Sequence, residues 1–256
     1  MNSLIAFTKK EATEQLRTSR MMILGILFVL IGIMNPAIAK LTPWMMSLVA
    51  DSMAESGITL NNITVTAMDS WMQFFKNAPI VLIAFVLIES GIFTKEYQSG
   101  TLVLSLTKGL KRYKVVISKA FTLIALWTVG YWLCFGITYF YTGYYWDNSL
   151  AQNLVFSAVC WYVFGLWVIG LMILFSTISS SNTGVLLGAG GVIMVCYLIG
   201  MLPQVSKYLP TQLMDGNSLI YGTAQVGDYL ASLLVTAATG IVCLITSIPI
   251  FNKKYL

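Results

Sequence analysis

Apolar residues gather in six runs along the chain, roughly 21–39, 78–93, 121–141, 155–175, 184–202 and 230–250, and the segments between them carry nearly all of the charge. A membrane-spanning helix needs about 20 predominantly apolar residues, and five of the six runs approach or meet that length. The second run is shorter, but Trp71, Met72, Phe74 and Phe75 extend it upstream, with Pro79 expected to kink it. Helices are the only form such runs can take in lipid, because hydrocarbon offers no partner to an open backbone amide. The pattern therefore predicts an all-α membrane protein with six transmembrane helices. Tyr139, Tyr141, Tyr144, Tyr145 and Trp146 crowd the end of the third run, as expected at a headgroup boundary.

The first 20 residues read differently. On a helical wheel Leu4, Ile5, Ala12 and Leu16 share one side, and Lys10, Thr13, Glu14 and Arg17 lie opposite, with Phe7 breaking the pattern. This predicts an amphipathic "elbow" helix over 1–20, lying in the interface with its bases near anionic headgroups. The same start imitates a secretory signal, with a basic beginning, an apolar run, a break at Pro36 and Ala37-Ile38-Ala39 in the A-x-A pattern. The long and itself patterned region before Met21 argues for retention of the first span.

Composition supports the membrane reading. Of 256 residues 57% are hydrophobic and only 10% charged, whereas a soluble domain carries about 25% charged residues. A soluble enzyme, a disordered chain and a nucleic-acid-binding domain are excluded. The formal charge of +5 then bears on orientation. With the N-terminus inside, twelve Lys and Arg fall on the inner side, and only Lys40, Lys76 and Lys207 fall outside. The positive-inside rule accordingly puts both termini in the cytoplasm.

Catalytic chemistry finds no footing. With no histidine in the sequence, histidine-dependent nucleophiles, metal sites and proton relays are excluded. Cys134, Cys160, Cys196 and Cys243 lie far apart in apolar runs and read as buried thiols. Nothing fits the phosphate-cradling pattern G-x-x-x-x-G-K-S/T. No catalytic residue, no metal ligand and no cofactor bound by this chain are expected. Outside, 41–77 is the longest connection, followed by 203–229, and the triplet Asn62-Ile63-Thr64 is too short a sequon to carry weight. Inside, the polar turn 176–183 can cap the fifth span.

The loop 94–119 is the informative connection. Gly100 can break the helix leaving the membrane, Thr101 can cap a short new one, and Leu102, Leu104 and Leu106 supply its apolar contacts before Gly109 ends it. A short helix with an apolar knob and a charged rim suits docking into a partner's groove. An interfacial reversal held by lipid fits the residues equally well.

These residues resemble the loop of ABC-2 type permeases, the membrane subunits of bacterial ABC exporters. That pattern runs E-x-x-x-G-T-L, a leucine-rich turn, a Pro, an Arg three residues later and a Lys seven further. Glu96, Gly100, Thr101, Leu102, Leu104, Leu106, Arg112 and Lys119 hold their places without a gap, while Gly109 stands where Pro is usual and Ser118 where Gly is common. The elbow, the six spans and the tail Phe251-Asn252-Lys253-Lys254 extend the likeness. The resemblance implies an ABC-2, type V exporter-like fold, with an elbow at 1–20, a transmembrane domain at 21–256 and a coupling-helix loop at 94–119. It implies a separate ATP-binding subunit that holds the ATP and Mg, a second permease chain as homo- or heterodimer partner, and residence in a bacterial inner membrane. It also implies that Glu96, Gly100, Thr101, Leu102, Leu104, Leu106 and Arg112 belong to the element on which the ATPase docks.

Glu89 is the one ionisable residue inside a run. It lies six residues, about 9 Å, before Lys95, so it can reach the interface and pair with Arg17 or Arg20 of the elbow. That pairing is favoured over a substrate or proton site. Spans lined by aromatic, Met, Ser, Thr and Gly side chains suit an amphipathic or apolar cargo (a peptide, lipid or drug). A secondary transporter or channel without an ATPase is the alternative, disfavoured because no acid sits mid-span and no internal repeat is visible.

Overall fold

The computed structural model describes residues 3–55, 64–107 and 109–254. Among these no strand occurs. Helices α1 (Ser3–Arg17), α2 (Ser19–Glu55), α3 (Ala67–Glu89), α4 (Gly91–Ser99), α5 (Thr101–Thr107), α6 (Arg112–Tyr145), α7 (Leu154–Ile178), α8 (Asn182–Ile199), α9 (Pro203–Ser206), α10 (Gly216–Ile220) and α11 (Val226–Lys253) follow one another. Six are long and apolar enough to cross a membrane: α2, α3 with its continuation α4, α6, α7, α8 and α11. The all-α, six-span architecture read from the hydrophobic pattern is the architecture found. Lys108 and most of the sequon, Asn62 and Ile63, lie outside the described residues.

Boundaries differ from the pattern at the prolines. The first span, read over 21–39, includes Pro36, and α2 runs through it and on through Pro43, past the expected end; α3 runs through Pro79, where a kink was expected. Pro36 has no N–H to give the carbonyl four residues earlier, that of Gly32. The hydroxyl of Thr138 on α6 donates to that carbonyl instead, at 3.0 Å. A neighbouring side chain thus restores the bond the ring removes, which is how membrane helices tolerate proline. The expected outer loop 41–77 shrinks accordingly, because α2 continues to Glu55 and α3 starts at Ala67. Asp69 accepts the backbone N–H of Thr66 at 2.8 Å, and Asp228 that of Gln225 at 3.0 Å, so acids cap the starts of α3 and α11.

The helices form two packed groups that share α6 and α7. α2, α3 and α6 pack together, α7 lies against α11, α8 and α6, and α1 lies along α6 beside the start of α2. Aromatic rings fill the centre. Trp127 stacks against Tyr131 and meets Phe85 and Phe28 edge-on, and its ring takes the space where Gly165 lacks a side chain. A polar ladder crosses α2, α3 and α6: Asn77 donates to Asn35 at 2.8 Å, and Asn35 to Thr138 at 3.1 Å. α8 and α11 leave most of their surface outside the bundle. Cys134 and Cys160 are buried, and all four thiols are free.

Candidate functional site

The loop between the second and third spans begins as the end of α4. Gly100 closes that helix with φ at +68°, α5 follows as seven residues, and Gly109 reverses the chain with φ at +89° before α6. Both angles lie in the left-handed region that only glycine enters freely. The two breaks read from sequence are therefore the two turns of the loop. The three leucines, expected to act together as a knob, part company. Leu102 is 1% exposed within the core of this chain, Leu106 is half-buried against that core, and Leu104 stands out at 61% exposure beside Val103. One turn of helix thus serves two surfaces, inward through Leu102 and outward through Leu104. Thr101 is exposed, with its hydroxyl 2.9 Å from that of Ser99.

Glu96, expected on the rim, points inward. Its carboxylate meets Lys10 of α1 at 2.6 Å and Lys119 of α6 at 2.9 Å. Lys119 is 1% exposed; it also reaches Glu11 of α1 at 2.9 Å and donates to the carbonyl of Ile92 at 2.9 Å. Two ammonium and three carboxylate groups, counting Glu14 at 2.9 Å from Lys10, thus tie the elbow, the root of the loop and the third span. Burial works against the charge on Lys10, but its bonds to Glu96 and Glu14 and the nearby Glu11 outweigh burial and raise its pKa above the ordinary lysine value. The carboxylates of Glu11, Glu14 and Glu96 come within 4.8 Å of one another, and the positive charge between them is that of lysine. Sequence reading set Lys119 in the family pattern without finding its role, because its partners lie 23 and 108 residues away.

Glu89 is fully buried, and the side chain hydrogen-bonded to it is not an arginine, although the charge of Arg20 acts on it. Gln15 Nε2 donates to its carboxylate at 2.9 Å. Arg17 is exposed, and neither it nor Arg20 forms an ion pair with Glu89. The elbow does reach Glu89, as expected, but through an amide on its buried face, since Gln15 and Glu11 are one turn apart and both face α3–α4.

Arg112 closes the other end of the loop. It was assigned to the docking rim, yet its guanidinium donates to the carbonyls of Phe251 at 3.0 Å and Lys254 at 2.5 Å. These carbonyls lie at the end of α11, where a cation also meets the negative end of the helix dipole. Lys254 in turn donates to the carbonyl of Ser179 at 2.8 Å, where α7 ends, and sits 4.2 Å over the Tyr97 ring. Burial lowers the pKa of Lys254. Tyr97 donates to the carbonyl of Ser176 at 3.0 Å, and Thr94 is hydrogen-bonded to Asn182 at the start of α8. Ser181 caps α8 through the N–H of Gly184 at 3.1 Å, as the polar turn foretold. Among the described residues, α1, the end of α11 and the loops around α5 and 179–181 meet on one patch, from which Lys95, Gln98, Leu104 and Lys111 project outward.

No curated protein matches the chain. A family model described as ABC-2 family transporter protein matches residues 5–250. With that match over nearly the whole chain, the chain belongs to the ABC-2 transporter family, as a multi-pass membrane permease of an ABC transporter.

Proposed function

We propose that the chain is one half of an exporter's membrane channel, that a separate ATP-binding subunit docks on α5, and that a second permease chain completes the pore. The observation that carries this is the division of α5: Leu102 anchors it in the core while Val103 and Leu104 face outward on a helix held at both ends by ionic and carbonyl contacts. A rigid, exposed apolar knob is what a groove on a partner can push. Gly100 and Gly109 set the angle of the knob, Thr101 and Leu106 flank it, and Glu96 and Arg112 act from within as braces. ATP and Mg would be held by the partner subunit. The twelve-to-three split of basic residues supports a cytoplasmic position for this end, and the reading includes residence in a bacterial inner membrane. Export of an amphipathic or apolar cargo suits spans so poor in charge. The test is co-expression with any P-loop ATPase found encoded beside the gene: the pair should co-purify and hydrolyse ATP, and the permease alone should not. Hydrolysis by the isolated chain, or failure of any ATPase to bind, would overturn the reading.

A further inference from the structure

Gln15 on α1 and Glu89 at the end of α3 are 7% and 0% exposed, and each keeps one side-chain oxygen, Oε1, without a donor among the described residues. The other halves of the two groups are joined, Gln15 Nε2 donating to a carboxyl oxygen of Glu89, Oε2, at 2.9 Å. What remains open is the second oxygen of an amide and the second oxygen of a carboxyl, on side chains already tied to each other. An ionised carboxylate only accepts, as an amide oxygen does, so neither can serve the other. A carboxylic acid has one O–H to give. A single hydrogen on Glu89 Oε1, given to Gln15 Oε1, closes a ring of two parallel bonds and satisfies both oxygens at once.

The hydroxyls next to the pair are spent elsewhere, since Thr18 donates to the Gln15 carbonyl and Ser90 to the Leu87 carbonyl, each at 3.0 Å. The charges that act on Glu89 are those of Arg20 on α2 and Lys119 on α6. Lys119 is committed to Glu11, Glu96 and the Ile92 carbonyl. Arg20 is half-buried and forms no ion pair among the described residues. Lys10 and Lys119 already answer the carboxylates of Glu11, Glu14 and Glu96, and Lys95 on α4 is exposed. A further buried anion would have no ammonium of its own, and a buried charge without a partner gives way to its neutral form. The small cavity nearby, about 50 Å³, is lined by Gln15, Arg20 and Lys119 but not by Glu89. We infer that Glu89 is a proton-binding site, its carboxyl holding a hydrogen on Oε1 that it shares with Gln15 Oε1, so that an uncharged ring latches the elbow to the root of α3 and α4. In water a glutamate ionises near pH about 4.3. At neutral pH an elbow lifting away would therefore release this proton to solvent, and docking would take one up.

The test uses the full-length protein purified in a maltoside, a detergent with no ester carbonyl. Infrared spectra at neutral pH should show the C=O stretch of a carboxylic acid in wild type and lose it in Glu89→Gln. That variant keeps both bonds, because its amide donates to Gln15 Oε1 and accepts from Gln15 Nε2, so its melting temperature should stay within about 2 °C of wild type. Gln15→Leu removes both bonds at nearly the same side-chain size and should melt about 4–8 °C lower. Raising the pH should lower the wild-type melt relative to that of Glu89→Gln, since alkali removes a proton that wild type needs and the variant lacks. Loss of a carboxylate band instead of an acid band in Glu89→Gln, or a fall in its melt as large as that of Gln15→Leu, would mean an ionised Glu89 served by water or a cation and would overturn the proposal. A gap between the wild-type and Glu89→Gln melts that stays constant with pH would overturn it as well.

Discussion

Removing the ammonium of Lys119 should unsettle the fold more than removing any exposed charge. In Lys119→Ala the carboxylates of Glu11 and Glu96, each within 2.9 Å of that nitrogen, lose a buried partner, and the Ile92 carbonyl loses its donor. Lys10 still reaches both acids, but from a half-exposed position. Breaking a buried ion pair by deleting one member costs about 3–5 kcal/mol, because the remaining charge stays desolvated. For a chain of this size each kcal/mol lowers the melting temperature by about 2–4 °C, so the expected fall is about 6–20 °C. The assay is a thermal melt in detergent, run as a double-mutant cycle with Glu11→Gln. If the pair interacts as its geometry implies, the double variant should be more stable than the sum of the single losses predicts, by about 0.5–3 kcal/mol. A melt for Lys119→Ala within 2–3 °C of wild type (under about 1 kcal/mol by the same scale), or strictly additive losses, would refute the reasoning.

Leu104→Asp should release the ATPase subunit in co-purification while the permease melts normally, whereas Leu102→Asp, which puts a charge among core residues, should destabilise the permease itself by several kcal/mol; equal behaviour of the two would contradict the division of α5. Single cysteines at Tyr208 and Tyr221 should react with an impermeant maleimide on intact cells, and cysteines at Gln98 and Thr107 should not; the reverse pattern would invert the topology. Asn35→Leu cuts both rungs of the ladder between α2, α3 and α6 and should cost about 1–2 kcal/mol in a detergent melt. Because ion pairing raises the pKa of Lys10, its stabilising share should be intact at neutral pH and fade only as pH climbs past the ordinary value of 10.5 and through the raised one, so Lys10→Gln should lower the melt equally at neutral and mildly alkaline pH.

What could be read from the sequence followed from local chemistry. The six spans needed only runs of apolar residues, and Gly100 and Gly109 marked turns because glycine alone occupies left-handed angles cheaply. What could not be read depended on partners far along the chain. How the first span passes Pro36 is not visible until Thr138, 102 residues on, is seen donating to the Gly32 carbonyl. Glu96 and Arg112 match a loop motif and so read as loop-surface groups, yet Lys119, Lys10 and the carbonyls at the end of α11 draw them inward. Glu89 beside an arginine-bearing elbow invites an ion pair, and the helical phase of α1 instead presents Gln15. A leucine triplet cannot say which leucine faces in until the packing of α5 is known, and the phase of a seven-residue helix between two glycines is set by that packing.

The positions of the braces bear on how a push on α5 would travel. A helix of seven residues has too few internal hydrogen bonds to be stiff by itself. Its rigidity has to come from its roots, and each root is tied to a different part of the bundle. Through Glu96 and Lys119 the α4 root is bound to α1 and α6; through Thr94 it meets α8; through Tyr97 it meets α7. Through Arg112 the α6 root is bound to the end of α11, and Lys254 joins that end to α7. A force on Leu104 therefore cannot be absorbed by bending the loop, since both hinges sit in ionic or carbonyl contacts costly to break in a low-dielectric setting. The weaker contacts are those between helices in lipid, where no hydrophobic drive opposes sliding. Motion begun at α5 would thus move the helices to which it is tied as bodies, which is the form of displacement a transporter that alternates between two packings requires.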